Sequence, residues 1–167
     1  RINIAAKTVS VLYKDLTYLT LEQEKENHDE EIEIKELIYD RAEYFSVLAQ
    51  SKQIACNLDL EEAHITMDKR KLTRVIDNLI SNAIKYNKRN GTVGIKLREG
   101  MLVIWDTGIG MNEEKIPFMF DRYMRFNESE GGFGVGLSIV KQILNEYSIS
   151  IEVKSKEGEG TSMVLRW

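Results

Sequence analysis

Two carboxamides and an ammonium stand in register along one stretch of the chain: Asn78, Asn82 and Lys85, within Arg74-Val75-Ile76-Asp77-Asn78-Leu79-Ile80-Ser81-Asn82-Ala83-Ile84-Lys85-Tyr86. Helical spacing of i, i+4 and i+7 places them on one face. Amide oxygens there can ligate Mg²⁺ and the ammonium can reach a phosphate, although a solvated helix face carries the same pattern. A second group is Asp106-Thr107-Gly108-Ile109-Gly110, directly after the apolar run Met101 to Trp105. An aspartate at a strand end can accept a hydrogen bond from an exocyclic amine, and the glycines would let a ligand approach the backbone. Tight Asp-Gly turns after strands are common in any case. A third is Gly131-Gly132-Phe133-Gly134-Val135-Gly136-Leu137, ahead of the apolar-periodic stretch Ser138 to Tyr147. A glycine-rich loop that opens a helix offers backbone N–H groups and a positive dipole end to a phosphate chain. It lacks the Lys-Ser/Thr ending of a P-loop, and no apolar strand leads into it. The stretch Phe118 to Phe126 lies between, and its Arg122 and Arg125 could reach phosphates while its aromatics cover a base; an amphipathic packing helix would look the same.

Elements must hold these residues. All eleven glycines follow position 90, and no glycine or proline precedes it. The front is therefore regular and the back carries the tight turns. Asp68 is a plausible N-cap for a helix running to Tyr86, with Leu72, Val75, Ile76, Leu79, Ile80 and Ala83 as its core face. Val93–Leu97 and Met101–Trp105 suggest a hairpin. Ile54–Leu60 and His64–Met67 read as short strands paired with each other, Ile149–Lys154 and Ser162–Trp167 as two more. One helix is expected to carry Leu37, Ile38, Ala42, Phe45, Leu48 and Ala49 on a single face. The sum is an α+β chain: a two-layer α/β sandwich with a mixed sheet of about five strands and three helices on one face.

Composition narrows the classes. The chain has 167 residues, 43% hydrophobic and 30% charged, a globular balance. Its net charge of −4 argues against a broad nucleic-acid surface. No apolar run approaches the roughly 20 residues of a membrane-spanning helix. Cys56 is the single cysteine, so no internal disulfide forms and a reducing, cytoplasmic setting is the default. The start at Arg1 reads as the edge of a piece of a longer protein, and a membrane anchor could lie outside it.

The four groups, in this order, resemble the ATP-binding catalytic domain of sensor histidine kinases, within the superfamily of gyrase, Hsp90 and MutL ATPases. Asn78 to Tyr86 resembles the N-box, Asp106 to Gly110 the G1 box, Phe118 to Phe126 the F-box and Gly132 to Leu137 the G2 box. The resemblance covers about residues 32–167. It implies ATP with Mg²⁺ as cofactors, bound between the N-box helix and a lid. Asn82 would ligate the metal with Asn78 beside it, and Lys85 would lie near the phosphates. Tyr86 would flank the adenine, Asp106 would accept its amino group, and Gly108 and Gly110 would shape the pocket. Gly132, Gly134, Gly136 and Leu137 would hold the triphosphate, with Arg122 and Arg125 assisting, and Thr161 of Gly158-Glu159-Gly160-Thr161 would brace Asp106. Phe133 stands where the family often has Ser or Thr. The superfamily's hydrolysing members carry a glutamate base at the position of Asn78. An amide is not basic at neutral pH, so phosphoryl transfer to a protein is expected rather than hydrolysis.

At the front, Ile2, Ala5, Val9, Leu12, Leu16 and Leu19 follow spacings of three and four, the seam of a coiled coil or bundle. Residues 1–28 resemble the second helix of the family's dimerisation and phosphotransfer hairpin, 29–35 a linker with a short strand, and 36–167 the catalytic domain. The partners implied are a second copy through the front helix, a phosphoacceptor histidine helix and a response-regulator receiver domain. His28 sits in the linker without the acceptor's Thr and Pro, and His64 opens a strand, so the acceptor histidine is expected outside this chain. Two other readings remain: a catalytically inactive nucleotide-binding module, and an anti-sigma-factor-type serine kinase.

Overall fold

The computed structural model describes residues 4–6, 9, 10, 13, 26–121 and 136–167. The described residues at the front are helical, and Val9 is 63% exposed, so the chain leaves that seam position uncovered. Ile2, Leu12, Leu16 and Leu19 lie outside the described residues, as do Arg122, Arg125, Gly132, Phe133 and Gly134.

After residues 26–28 come β1 (Asp29–Glu33), α1 (Ile34–Tyr44), α2 (Ser46–Ser51), β2 (Ala55–Leu60), β3 (His64–Asp68) and α3 (Lys69–Lys85). Then follow β4 (Thr92–Arg98), β5 (Met101–Asp106), a 3-10 turn (Glu113–Phe118), α4 (Gly136–Glu146), β6 (Ser150–Lys156) and β7 (Gly160–Arg166). Five strands form a mixed sheet in the order β2-β4-β5-β7-β6, in which β2 runs parallel to β4 and every other neighbour is antiparallel. The expected α+β architecture is therefore present.

The local signals explain the key elements. Asp68 caps α3 by accepting from the Arg70 N–H at 2.9 Å. Leu72, Val75, Ile76, Leu79, Ile80 and Ala83 then face inward every three or four residues and are all buried. They meet the inner face of the sheet, where Val93, Ile95, Leu97, Leu102, Ile104, Met163 and Leu165 are buried at alternating positions. Burying each such side chain contributes about 1.5–3 kcal/mol. β4 and β5 form the expected hairpin, turned at Gly100 with a left-handed φ of 81°. α3 packs on β4 and β5 and also touches α1 and α4. The Arg41 guanidinium fastens α1 to α3 through both oxygens of Asp77, at 2.7 and 2.8 Å.

Two expectations are corrected. β2 and β3 do not pair with each other: β3 joins β1 in a separate two-stranded ribbon, and β2 pairs with β4. The connection Glu61-Glu62-Ala63 contains no turn-forming residue, and the Ala63 carbonyl accepts the Ile34 N–H, which draws the chain toward α1. The single helix expected over Leu37 to Ala49 is two, broken at Phe45 (φ −88°, ψ 0°). There the Ser46 hydroxyl donates to the Glu43 carbonyl at 2.7 Å, a side-chain bond beside the backbone ones, while Phe45 stays in the core at 1% exposure.

Candidate active site

The C-terminal end of α3, the end of β5 and the start of β7 converge on one cleft. The cleft is open to solvent on one side, and α3 supplies Leu79, Asn82, Ala83 and Tyr86. Ile104, Asp106, Ile109, Gly110 and Met111 form the opposite wall, and Met119, Leu137, Thr161 and Met163 complete the lining. The wall is mostly apolar, and two of its polar residues, Asp106 and Asn82, lie on opposite sides of it.

Asp106 is the first. As the last residue of β5 it shares the inner face with Ile104, by the alternation of the strand. Its Oδ1 accepts the N–H of Gly108 at 2.9 Å and that of Thr161 at 3.3 Å. Its Oδ2 has no partner among the described residues. Burial pushes the carboxyl up to about 6, and the two backbone N–H groups only partly offset this. A half-buried carboxylate with one oxygen pinned and the other open is an acceptor waiting for a donor.

Asn82 is the second. Its carboxamide lines the cleft one turn before the helix end and has no partner among the described residues. Asn78, one turn earlier, is 4% exposed, donates from its amide to the Arg74 carbonyl at 2.9 Å, and lies outside the cleft lining. Lys85 holds its ammonium 5.2 Å from the centre of the Tyr86 ring. Gly136 and Leu137 open α4, and Leu137 reaches the cleft.

The glycines of Asp106 to Gly110 allow close chain-to-chain packing beside the cleft, which Gly110 also lines. A Cβ on Gly108 would collide with the Tyr86 carbonyl oxygen, where the turn presses against the end of α3. Gly110 has a left-handed φ of 61° and sits against the Lys156 carbonyl. Thr161 does reach Asp106, but through its backbone N–H; its hydroxyl pairs with Ser155 Oγ at 2.7 Å. Trp105, adjacent to Asp106 in sequence, faces the other side of the sheet over Gly94.

Sequence reasoning missed three supporting residues. Ser155 Oγ accepts the Met111 N–H at 2.9 Å and so fixes the cleft wall. Lys52 donates to the Lys85 carbonyl at 2.7 Å and caps the end of α3. Asn87 donates to the Thr92 carbonyl at 3.0 Å. No local pattern marks the first two, whereas Asn87 directly after the Asn78–Tyr86 stretch could have been flagged.

The donors suit a magnesium nucleotide. An open carboxylate oxygen matches an exocyclic amine, and neutral amide oxygens are hard ligands for Mg²⁺ that keeps most of its contacts with phosphate and water.

Comparison with known proteins gives the family and the fold. The family described as histidine kinase-, DNA gyrase B- and HSP90-like ATPase matches residues 67–167. The chain belongs to that family. It is 36% identical over 122 residues to the sensor histidine kinase YkoH of Bacillus subtilis (strain 168), covering 70% of this chain and 27% of that protein. To WalK of the same organism it is 32% identical over 139 residues, covering 77% of this chain and 22% of WalK. The solved structure of the mycobacterial sensor histidine kinase MprB superposes with a TM-score of 0.72 at 25% identity, covering 83% of this chain and 95% of that one. The chain thus spans about a quarter of the length of the full relatives it matches.

Proposed function

We propose that this chain is the ATP-binding catalytic part of a two-component sensor histidine kinase, transferring the γ-phosphoryl group of ATP to a histidine outside these residues. From there the group would pass to a response-regulator aspartate. The observation that carries the reading is the placement, across one cleft, of the Asp106 carboxylate and the Asn82 carboxamide, whose Oδ2 and amide respectively have no partner among the described residues.

In this reading Asp106 accepts the N6 amino group of adenine, and its pinned Oδ1 keeps the carboxylate from turning away. The apolar wall of Leu79, Ile104, Met119 and Met163 takes the base, with Tyr86 at its edge. Asn82 offers an amide oxygen toward Mg²⁺, with Asn78 as its neighbour, and Lys85 faces the phosphates. The metal, when bound, neutralises charge on the triphosphate. Arg122, Arg125, Gly132, Gly134, Gly136 and Leu137 are assigned to the phosphate side on their sequence positions. Asn78 supplies no base to activate water, which favours transfer to a protein over hydrolysis.

The domain boundaries belong to the same proposal: residues 1–28 as the end of a dimerisation helix, 29–35 as linker, and 36–167 as the catalytic unit. The uncovered Val9 supports a partner for the front helix in the full protein. Among the described residues no helix is long and apolar enough to cross a membrane. A cytoplasmic position beside a membrane anchor elsewhere in the protein is part of the proposal.

Calorimetric titration with the ATP analogue AMPPNP, with and without Mg²⁺, tests the reading. Binding that needs Mg²⁺ and is lost in a folded Asp106→Asn variant is expected. Absence of binding by the folded wild-type chain would sink it. It would favour an interaction module without nucleotide chemistry.

A further inference from the structure

Two residues outside the cleft lining, Asn87 and Thr107, stand between the end of α3 and the end of β5. Asn87 follows Tyr86 at the end of α3 and is 6% exposed. Its Nδ2 donates to the Thr92 carbonyl at 3.0 Å, and its Oδ1 accepts the Lys88 N–H at 2.9 Å. Thr107, the residue after Asp106, accepts the Thr92 N–H on its Oγ1 at 2.8 Å and donates its own N–H to the Thr92 carbonyl at 3.1 Å. The Thr107 hydroxyl stands 3.4 Å from Asn87 Oδ1, so the two side chains close a ring through the first residue of β4. Beside it, the Ile109 N–H donates to the Tyr86 carbonyl at 3.0 Å. A Cβ on Gly91 would collide with the Asn87 side chain, so the turn into β4 leaves room for that side chain alone.

We propose that Asn87 and Thr107 form a clasp that fixes the separation of the end of α3 from the end of β5, and that they are positioning residues for nucleotide binding. The inference rests on the nucleotide reading of the cleft. A ligand that must satisfy Asp106 at one end and Asn82 at the other is sensitive to that separation. A ligand held at the Asp106 end alone is not. The clasp is made wholly of protein groups, so its bonds are present before any ligand arrives.

Two probes separate positioning from plain structural support. Mg²⁺-AMPPNP spans the cleft, and adenosine engages its base end only. Thr107→Val is isosteric and removes the acceptor of the Thr92 N–H; Thr107→Ser restores it. Below the melting transition of every variant, Thr107→Val is expected to bind AMPPNP about tenfold more weakly while adenosine affinity stays within twofold of wild type. Thr107→Ser is expected to recover most of the AMPPNP affinity. If Thr107→Val does not fold, Asn87→Asp takes its place, since it keeps the Lys88 acceptor and loses the donor to Thr92; the same split between probes is expected. Equal losses of both probes, or no loss of either, would overturn the clasp while leaving the nucleotide reading intact. A wild-type chain that binds neither probe would overturn both.

Discussion

Lys71 Nζ, in the first turn of α3, lies 2.8 and 2.7 Å from the two carboxylate oxygens of Glu146, the last residue of α4. The helix that carries Asn82 and the helix whose first turn carries Leu137 are thereby joined at their ends away from the cleft. Lys71 is 6% exposed, so removing Glu146 strands a buried ammonium. Glu146→Ala is expected to lower stability by about 1–2 kcal/mol, less than a fully buried pair because Glu146 is 37% exposed. Lys71→Met, which removes the buried charge itself, is expected to cost clearly less. Urea denaturation of the two variants checks the asymmetry.

Asp68 gives the fold an acid-sensitive joint. It is buried, and burial works to raise its pKa, but the Arg70 guanidinium and the N–H groups of His28 and Arg70 hold it down at about 2. A folded value below the ordinary 3.8 means that this contribution is present above about pH 4 and disappears as the pH falls toward 2. Asp68→Asn keeps an N-cap but loses the charge. It is expected to be about 1–2 kcal/mol less stable at pH 6, with the gap closing near pH 2 in thermal melts.

Asp106 behaves in the opposite sense. Its folded value of about 6 lies above 3.8, so its protonation favours the fold at low pH and that gain is lost as the pH rises through 6. Above that point the buried charge is retained at a cost to stability, in exchange for an acceptor. Asp106→Asn is therefore expected to melt no lower than wild type at pH 7.5 while losing AMPPNP binding by at least about 100-fold. Wild-type AMPPNP affinity is expected to weaken as pH falls from 7 to 5, and the variant to show no such slope. A variant that unfolds would contradict the assignment.

Gly108 should be intolerant of any side chain. A methyl group there meets the Tyr86 carbonyl, a backbone atom that cannot move aside without shifting the end of α3. Gly108→Ala is expected to destabilise the chain by about 1–3 kcal/mol and to weaken nucleotide binding along with it. Circular dichroism melts and calorimetry on the same sample distinguish the two effects.

What was legible in the sequence was whatever is encoded locally. The Asp68 cap, the inward stripe from Leu72 to Ala83 and the hairpin closed by Gly100 each need only neighbours along the chain, and each is where the residues put it. Asp106 and Asn82 were found as motif residues, and the structure places both on one cleft. The pairing of β2 was not legible, because a parallel neighbour is chosen by tertiary packing, and adjacent short strands mimic a hairpin. The helix break at Phe45 was hidden because its apolar periodicity continues across the break. Lys52 and Ser155 escaped because their partners lie far along the chain and neither belongs to a spacing pattern. The glycines near Asp106 also carry a packing constraint that their motif does not reveal, the close approach of two chain segments.

The parallel pairing of β2 with β4 also closes a long loop. Between Ala55 and its partner Thr92 lie β3 and all of α3, so the helix bearing Asn82 sits inside the loop that this pairing closes. Closing a loop of that length early is entropically costly, and non-local strand pairing slows folding. Helical signal should therefore return during refolding before the cleft can accept a nucleotide. A lesion at the exposed edge strand, distant in sequence from every motif residue, would register as a delay in gaining the binding-competent state.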